Sequence, residues 1–121
     1  MGILWKVQDG KLVAAESTGR VLWTGRLDNA APRTVLAVDG GEDCIVLLRY
    51  EDSDAHPFAN VLRVTPSGGV TWRAPLPSDE PNDAYVSVSR APDGLVANSW
   101  SGYRVRLDEA SGQILERVFT K

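Results

Sequence analysis

Three stretches of the chain repeat one phrase: LVAAESTGRVLWTGRL, VLRVTPSGGVTWRAPL and YRVRLDEASGQILERVF. Aligned on their glycines, they put Gly19, Gly68 and Gly112 in one slot, 49 residues separating the first two and 44 the last two. This period constrains the fold more than any other feature, because repeats of about 40–50 residues belong to solenoids and propellers. Each phrase reads as a hairpin. The glycine accepts a left-handed conformation at the turn, where a Cβ would clash, and the Asp, Ser or Thr before it can bond its own backbone. Alternation after the turn places Val21 with Trp23, and Val70 with Trp72, on shared faces. A large aromatic there can cover the flank of a neighbouring sheet, and burying one indole contributes about 3 kcal/mol. In the third copy Glu116 takes the tryptophan position. That departure marks a last unit whose flank meets water or a partner.

The remainder of the chain follows the same period-two pattern. ILWKVQ (3–8) leads through Asp9-Gly10 into KLVAAE (11–16), and Asp-Gly between two such runs signals a type I′ hairpin. Further strands are expected at 20–27, 34–39, 44–51, 60–65, 70–76, 84–90, 95–100, 103–108 and 113–119, with turn residues between them, GGED among them. About eleven short strands at intervals near ten residues point to an all-β antiparallel meander in four-stranded, blade-like units, an incomplete propeller. Residues 1–28 form a partial unit that lacks its opening strand, and 29–77 and 78–121 form the other two. The best helical stretch, DEASGQILERV, is interrupted by Gly112, so no helix longer than one turn is expected.

RLDEASGQILERV and RVTPSGGVTWRAPLP resemble the blade motif of the PQQ-like (quinoprotein-like) repeat propellers, in which a strand ends in a short Asp-containing turn with Thr/Ser-Gly and runs on to a Trp. The resemblance covers about half of the chain. It implies the blade as the folding unit. Full-length members, among them quinoprotein alcohol dehydrogenases and an outer-membrane assembly scaffold, carry about seven or eight blades, against material here for about two and a half. The dehydrogenase chemistry needs a cofactor and calcium cage built by a closed ring, and no residue set of this chain maps onto it. The resemblance therefore implies the fold unit, without the enzyme and without a cofactor.

The charges narrow the partners. With 13 basic and 16 acidic residues among 121, the net charge is −3, and the basic residues are scattered. This argues against nucleic acid, whose phosphates need a concentrated basic face. No stretch approaches 18 apolar residues, so no membrane partner is expected. The N-terminus lacks a basic segment followed by an apolar one, and Lys6 stands where a myristoylation signal would hold Ser or Thr. The expected compartment is the cytoplasm. The single Cys44 excludes an intrachain disulfide; in CIVLLRY it reads as a small buried hydrophobe.

Few residues suggest a site. His56 stands beside Glu51, Asp52 and Asp54, types that could ligate a divalent metal. Their spacing fits no calcium loop, so YEDSDAHPF reads as a solvated acidic loop, and no metal is expected. SDEPND (78–83) reads as a solvated turn. Trp100 and Tyr103 flank a tight turn in NSWSGYR, and aromatics at such a tip serve either binding or closure of the core. Ser99 and Ser101 lack a partner base, and DGGED is too short and acidic to cradle phosphate. Arg63, Arg104 and Arg106 alternate on similar strands, and the expectation is that they line one face and pair with nearby acids. The candidate binding residues are thus Trp100, Tyr103 and His56, with no catalytic set.

An incomplete ring leaves two bare flanks. Exposed apolar patches usually meet a partner, exposed edges invite pairing, and symmetric self-association is the common solution. The expected role is a non-catalytic protein-interaction module, most simply a homodimer, of the kind that serves as an inhibitor or antitoxin-like partner in bacteria. The competing expectation is a small-ligand-binding protein using the mouth of an oligomeric ring.

Overall fold

A computed structural model describes residues 2–38 and 41–120. It contains eleven strands: β1 (Ile3–Gln8), β2 (Lys11–Glu16), β3 (Val21–Gly25), β4 (Pro32–Ala37), β5 (Cys44–Leu48), β6 (Val61–Val64), β7 (Val70–Arg73), β8 (Tyr85–Ala91), β9 (Gly94–Ser99), β10 (Tyr103–Leu107) and β11 (Ile114–Phe119). One 3₁₀ turn, Tyr50–Asp52, is the helical element among the described residues. The expected strand at 34–39 is β4, ending at Ala37; Asp39 and Gly40 of DGGED and GGED lie outside the described residues. Proline ends β7 early, since Pro75 has no amide to give the ladder.

The strands form three antiparallel sheets in simple meander order. The first is three-stranded, β1-β2-β3; the second is β4-β5-β6-β7 and the third β8-β9-β10-β11. The fold is an all-β meander in blade-like units that completes neither a barrel nor a ring among the described residues.

Two cores hold the sheets together, and strand alternation assigns residues between them. Along β5, Cys44, Val46 and Leu48 face the first sheet, where they meet Leu12, Trp5 and Trp23. Ile45 and Leu47 face the third, where they meet Tyr85, Leu95, Ala97 and Val105. A strand packed on both faces has no polar side to offer, which is why CIVLL is an unbroken apolar run with every residue buried.

Glycine turns recur in the three sheets as the repeat requires. Gly19, Gly68 and Gly112 have φ of 95°, 87° and 76°. Their amides donate to the carbonyls of Glu16, Thr65 and Asp108, which fixes the equivalence of the three hairpins. The expectation that Val21 shares a face with Trp23, and Val70 with Trp72, is corrected. Val21 pairs with Ala15 but Trp23 pairs with Ala14, the register shifting between them. Val70 pairs with Val64 while Trp72 pairs with Arg63. A β-bulge sets two residues of one strand against one of its partner, and so turns the valine and the tryptophan to opposite faces. A matching shift lies between Arg106 and Leu107.

Each tryptophan packs forward onto the next sheet's glycine. A Cβ added at Gly68 would fall within the indole of Trp23, and one added at Gly112 within that of Trp72. Trp72 is further held by its Nε1–H, which donates to the Glu109 carbonyl at 2.8 Å.

One buried polar side chain joins the second and third sheets, and another ties the linker between them to a turn of the third. Asn60 donates through Nδ2 to the carbonyls of Leu48 and Tyr85, both at 2.8 Å, and its Oδ1 accepts the Tyr85 amide at 2.7 Å. Asp83 accepts from the amides of Ala84 and Ser101, both at 3.0 Å, and from the hydroxyls of Ser78 and Ser101 at 2.7 and 2.9 Å. The reading of 78–83 as a solvated turn is therefore corrected at Asp83, which is fully buried. Donors from two loops take the place of the water its carboxylate would otherwise bind.

Candidate functional site

The repeat defines which surface is unfinished. Counting back one and three residues from Glu16, Thr65 and Asp108 gives Ala15 and Val13 in β2, Val64 and Leu62 in β6, and Leu107 and Val105 in β10. Leu62 and Val64 lie under the first sheet, and Val105 and Leu107 under the second. Val13 and Ala15, both buried, lie on the other face of the first sheet, which no further sheet of the described residues covers. Around them stand Leu4, Lys6 and Gln8 of β1, paired with Ala15, Val13 and Lys11. Leu4 is 57% exposed and Val21 54%. On this face Gln8, Asp9, Lys11, Val13, Val21 and Thr24 line a shallow groove of about 270 Å³. Gly19 lacks the contact that its two counterparts make: no heavy atom would lie within 4 Å of a Cβ placed on it.

The opposite end of the stack has a different chemistry. The outer face of the third sheet carries Arg104 opposite Asn98, and Arg106 opposite Val96 and Glu116. Asn98 donates to the Ser87 hydroxyl at 2.9 Å, and Val118 stands exposed at the rim. This face is largely polar, and Glu116 in the tryptophan slot belongs to it. Arg63 is not on this face. It ion-pairs with Asp43 at 2.9 Å and donates to the Glu109 carbonyl, between the second and third sheets. The expectation that Arg63, Arg104 and Arg106 line one face is corrected, because equivalent positions of successive sheets point the same way but are covered by different neighbours.

His56 is exposed in the loop before Phe58, which bridges to Ala84. The Trp100 amide donates to the Ala84 carbonyl at 2.8 Å, so both residues lie near one end of the second and third sheets. Tyr103 is placed elsewhere, edge-on to Phe119 with ring centroids 5.2 Å apart and with the Arg117 guanidinium over its face. The Ser99 and Ser101 hydroxyls lie 2.8 Å apart, tied to Asp83 and to the Tyr103 amide. They staple a turn. Among the described residues no three His, Cys, Asp or Glu side chains gather as metal ligands would. No helix of the described residues is long and apolar enough to cross a membrane.

Cys44 is fully buried. Burial, helped by the charge of Asp43, pushes its thiol from 9.0 up to about 12. The folded protein at pH 8 is expected to resist iodoacetamide and to be labelled once denatured; labelling at equal rates would contradict this placement. The sign of the pH effect follows. Folded and unfolded thiols are both neutral below pH 9, and between 9 and 12 only the unfolded one ionises. Stability should therefore fall by up to about 1.4 kcal/mol per pH unit across that window.

Three stacked antiparallel sheets with one polar end and one unfinished end define a modular all-β protein. A family model described as "Domain of unknown function (DUF7957)" matches residues 32–119, and the chain belongs to that family. No curated protein matches it. Among solved structures it is similar to a protein of unknown function from Bacteroides caccae, at 13% identity and a TM-score of 0.49. That match covers 99% of this chain and 45% of the other, so the chain spans less than half the length of that protein.

Proposed function

We propose that the chain is a non-catalytic protein-interaction module that binds through the outer face of its first sheet, most simply by forming a homodimer. One observation carries this reading: two successive tryptophan-on-glycine contacts, Trp23 on Gly68 and Trp72 on Gly112, precede no equivalent at Gly19. The face around Gly19 is built like the faces that neighbouring sheets cover, and Leu4, Val21 and Leu22 are exposed on the sheet that carries it. Head-to-tail stacking of copies would bring Arg104 and Arg106 towards Lys6 and Lys11, with Glu116 where an indole is needed. A two-fold pairing of first-sheet ends avoids both problems and closes at two chains.

The blade ancestry suggested by the quinoprotein-like resemblance belongs to this proposal, as does a cytoplasmic location. The resemblance is supported by the hairpin that recurs with its bulge, glycine and tryptophan. A small-ligand role has less support, since the groove on the first sheet falls below the roughly 300 Å³ at which ligand pockets begin.

Light scattering in dilute solution tests the reading. A mass of two chains is expected, reduced to one by Val21→Arg, which puts a charge on the face while its side chain is already exposed. A wild-type monomer at all concentrations would sink the self-association.

A further inference from the structure

Among the described residues the first sheet also has one strand fewer than the other two. The second and third sheets open with β4 and β8, each paired to the strand that follows. The equivalence of the hairpins makes β1 the counterpart of β5 and β9, so the absent strand is the one that would pair with β1 on its other edge. The difference shows in burial. Every residue of β5 is buried, whereas Leu4 and Val7 of β1 are exposed, Val7 by 46%.

The hydrogen-bonding groups of that edge can be assigned. Asp9 and Gly10 both have positive φ, 54° and 73°, in a two-residue turn closed by Gln8 opposite Lys11. The closing pair of such a hairpin exchanges hydrogen bonds, and the pattern alternates along the ladder. Gln8, Lys6 and Leu4 therefore turn their amides and carbonyls to β2, while Val7, Trp5 and Ile3 turn theirs to the open edge. Among the described residues no proline, bulge or covering helix blocks it.

The surroundings select the occupant. β8 packs against both β4 and β5, and β4 packs against β1 in the same manner, so β4 lies beside the vacant position. Pairing β1 with the β1 of a second copy would drive the two β4 strands into each other's place. A lone extended segment meets no such obstacle. In the second sheet Val46 pairs with Val35; the position equivalent to Val46 is held by Lys6, which forms no ion pair among the described residues. The next inward position is held by Trp5, opposite which an apolar side chain fits, as Leu36 fits opposite Ile45.

We infer that the open edge of β1 is a strand-addition site for an extended peptide segment of a partner protein, antiparallel to β1, with a carboxylate opposite Lys6 and an apolar residue opposite Trp5. This rests on the reading of the first sheet as the binding end, and it names a class of partner for it. Main-chain hydrogen bonds supply affinity in such a mode and alternate side chains supply selectivity.

The probe is a fluorescein-labelled synthetic peptide of residues 32–38 carrying Val35→Glu, titrated with the full chain and read by anisotropy. Saturable binding is expected. Val7→Pro removes an edge amide without touching the β2 ladder and should weaken binding about tenfold, the loss of a hydrogen bond and its neighbours. Lys6→Glu, at an exposed side chain that does not disturb the fold, should reverse the preference towards a Val35→Lys peptide. Absence of saturable binding, or binding indifferent to both substitutions, overturns the site. The two readings fail separately: a dimer that ignores the peptide removes only the strand-addition site, and a monomer that binds it removes only the self-association.

Discussion

Gly112→Ala and Gly68→Ala should each destabilise the protein by about 3 kcal/mol or more, and Gly19→Ala by only about 1–2 kcal/mol. All three glycines hold a left-handed φ that an L side chain adopts at a penalty of about 1–2 kcal/mol. Strain alone would make the three substitutions alike. The difference arises because the added methyl meets the Trp72 ring at Gly112 and the Trp23 ring at Gly68, and open space at Gly19. Trp72 is buried in one core and Trp23 is half-buried against the other, so neither ring withdraws freely, and overpacking of this kind adds about 1–3 kcal/mol. Truncating the other partner, Trp72→Ala, should cost about 3–5 kcal/mol, and Trp72→Ala with Gly112→Ala together should cost less than the sum, since the clash disappears with the ring. Urea unfolding of the series measures this; equal losses at the three glycines would remove the contact from the account.

Asp83→Ala is expected to be the most damaging polar substitution, at about 3–5 kcal/mol. It deletes acceptors for two amides and two hydroxyls and leaves the Ala84 and Ser101 amides unsatisfied. Each buried orphan costs about 1–3 kcal/mol. Asp83→Asn separates geometry from charge: its amide keeps one acceptor oxygen but presents donors to the Ser78 and Ser101 hydroxyls, which can turn to accept, so an intermediate loss is expected. Should Asp83→Ala unfold at the same urea concentration as the wild type, the network would be incidental to the packing of the two loops.

Most strands could be read from the chain because local chemistry decides them. Alternation, Asp-Gly at 9–10 and the three glycine turns are each set by a few neighbouring residues. The apolar run of β5 announced a strand covered on both faces. What escaped the reading depends on contacts between distant residues. The bulge opposite Ala15 changes the face of Val21 relative to Trp23, and no residue at that point demands it. Asp83 sits in SDEPND, which has the composition of a solvated loop, and Asn60 heads a strand like an ordinary turn residue. The identity of a polar side chain does not reveal the donors that will surround it. For Asn60 one signal was available, its place directly before VLRV with no glycine or second polar residue to make a turn.

The proposed binding end was half legible. Glu116 in the tryptophan slot pointed to one unfinished end of the stack, and the proposed surface lies at the other. Substitution of a charge prepares the third sheet for water, whereas the first sheet retains the glycine, the apolar row and the open strand. Trp100, Tyr103 and His56 stood out as aromatic or titratable residues near loops. Tyr103 packs against Phe119, and the Trp100 amide is held by the Ala84 carbonyl.

Hydrogen–deuterium exchange at concentrations well above and well below the dimerisation midpoint tests the central claim, that this chain associates through its first sheet. Slower exchange at high concentration should appear in β1 to β3 and leave β8 to β11 unchanged. Protection confined to the Arg104–Arg106 face of the third sheet, or no concentration dependence in any strand, would contradict it.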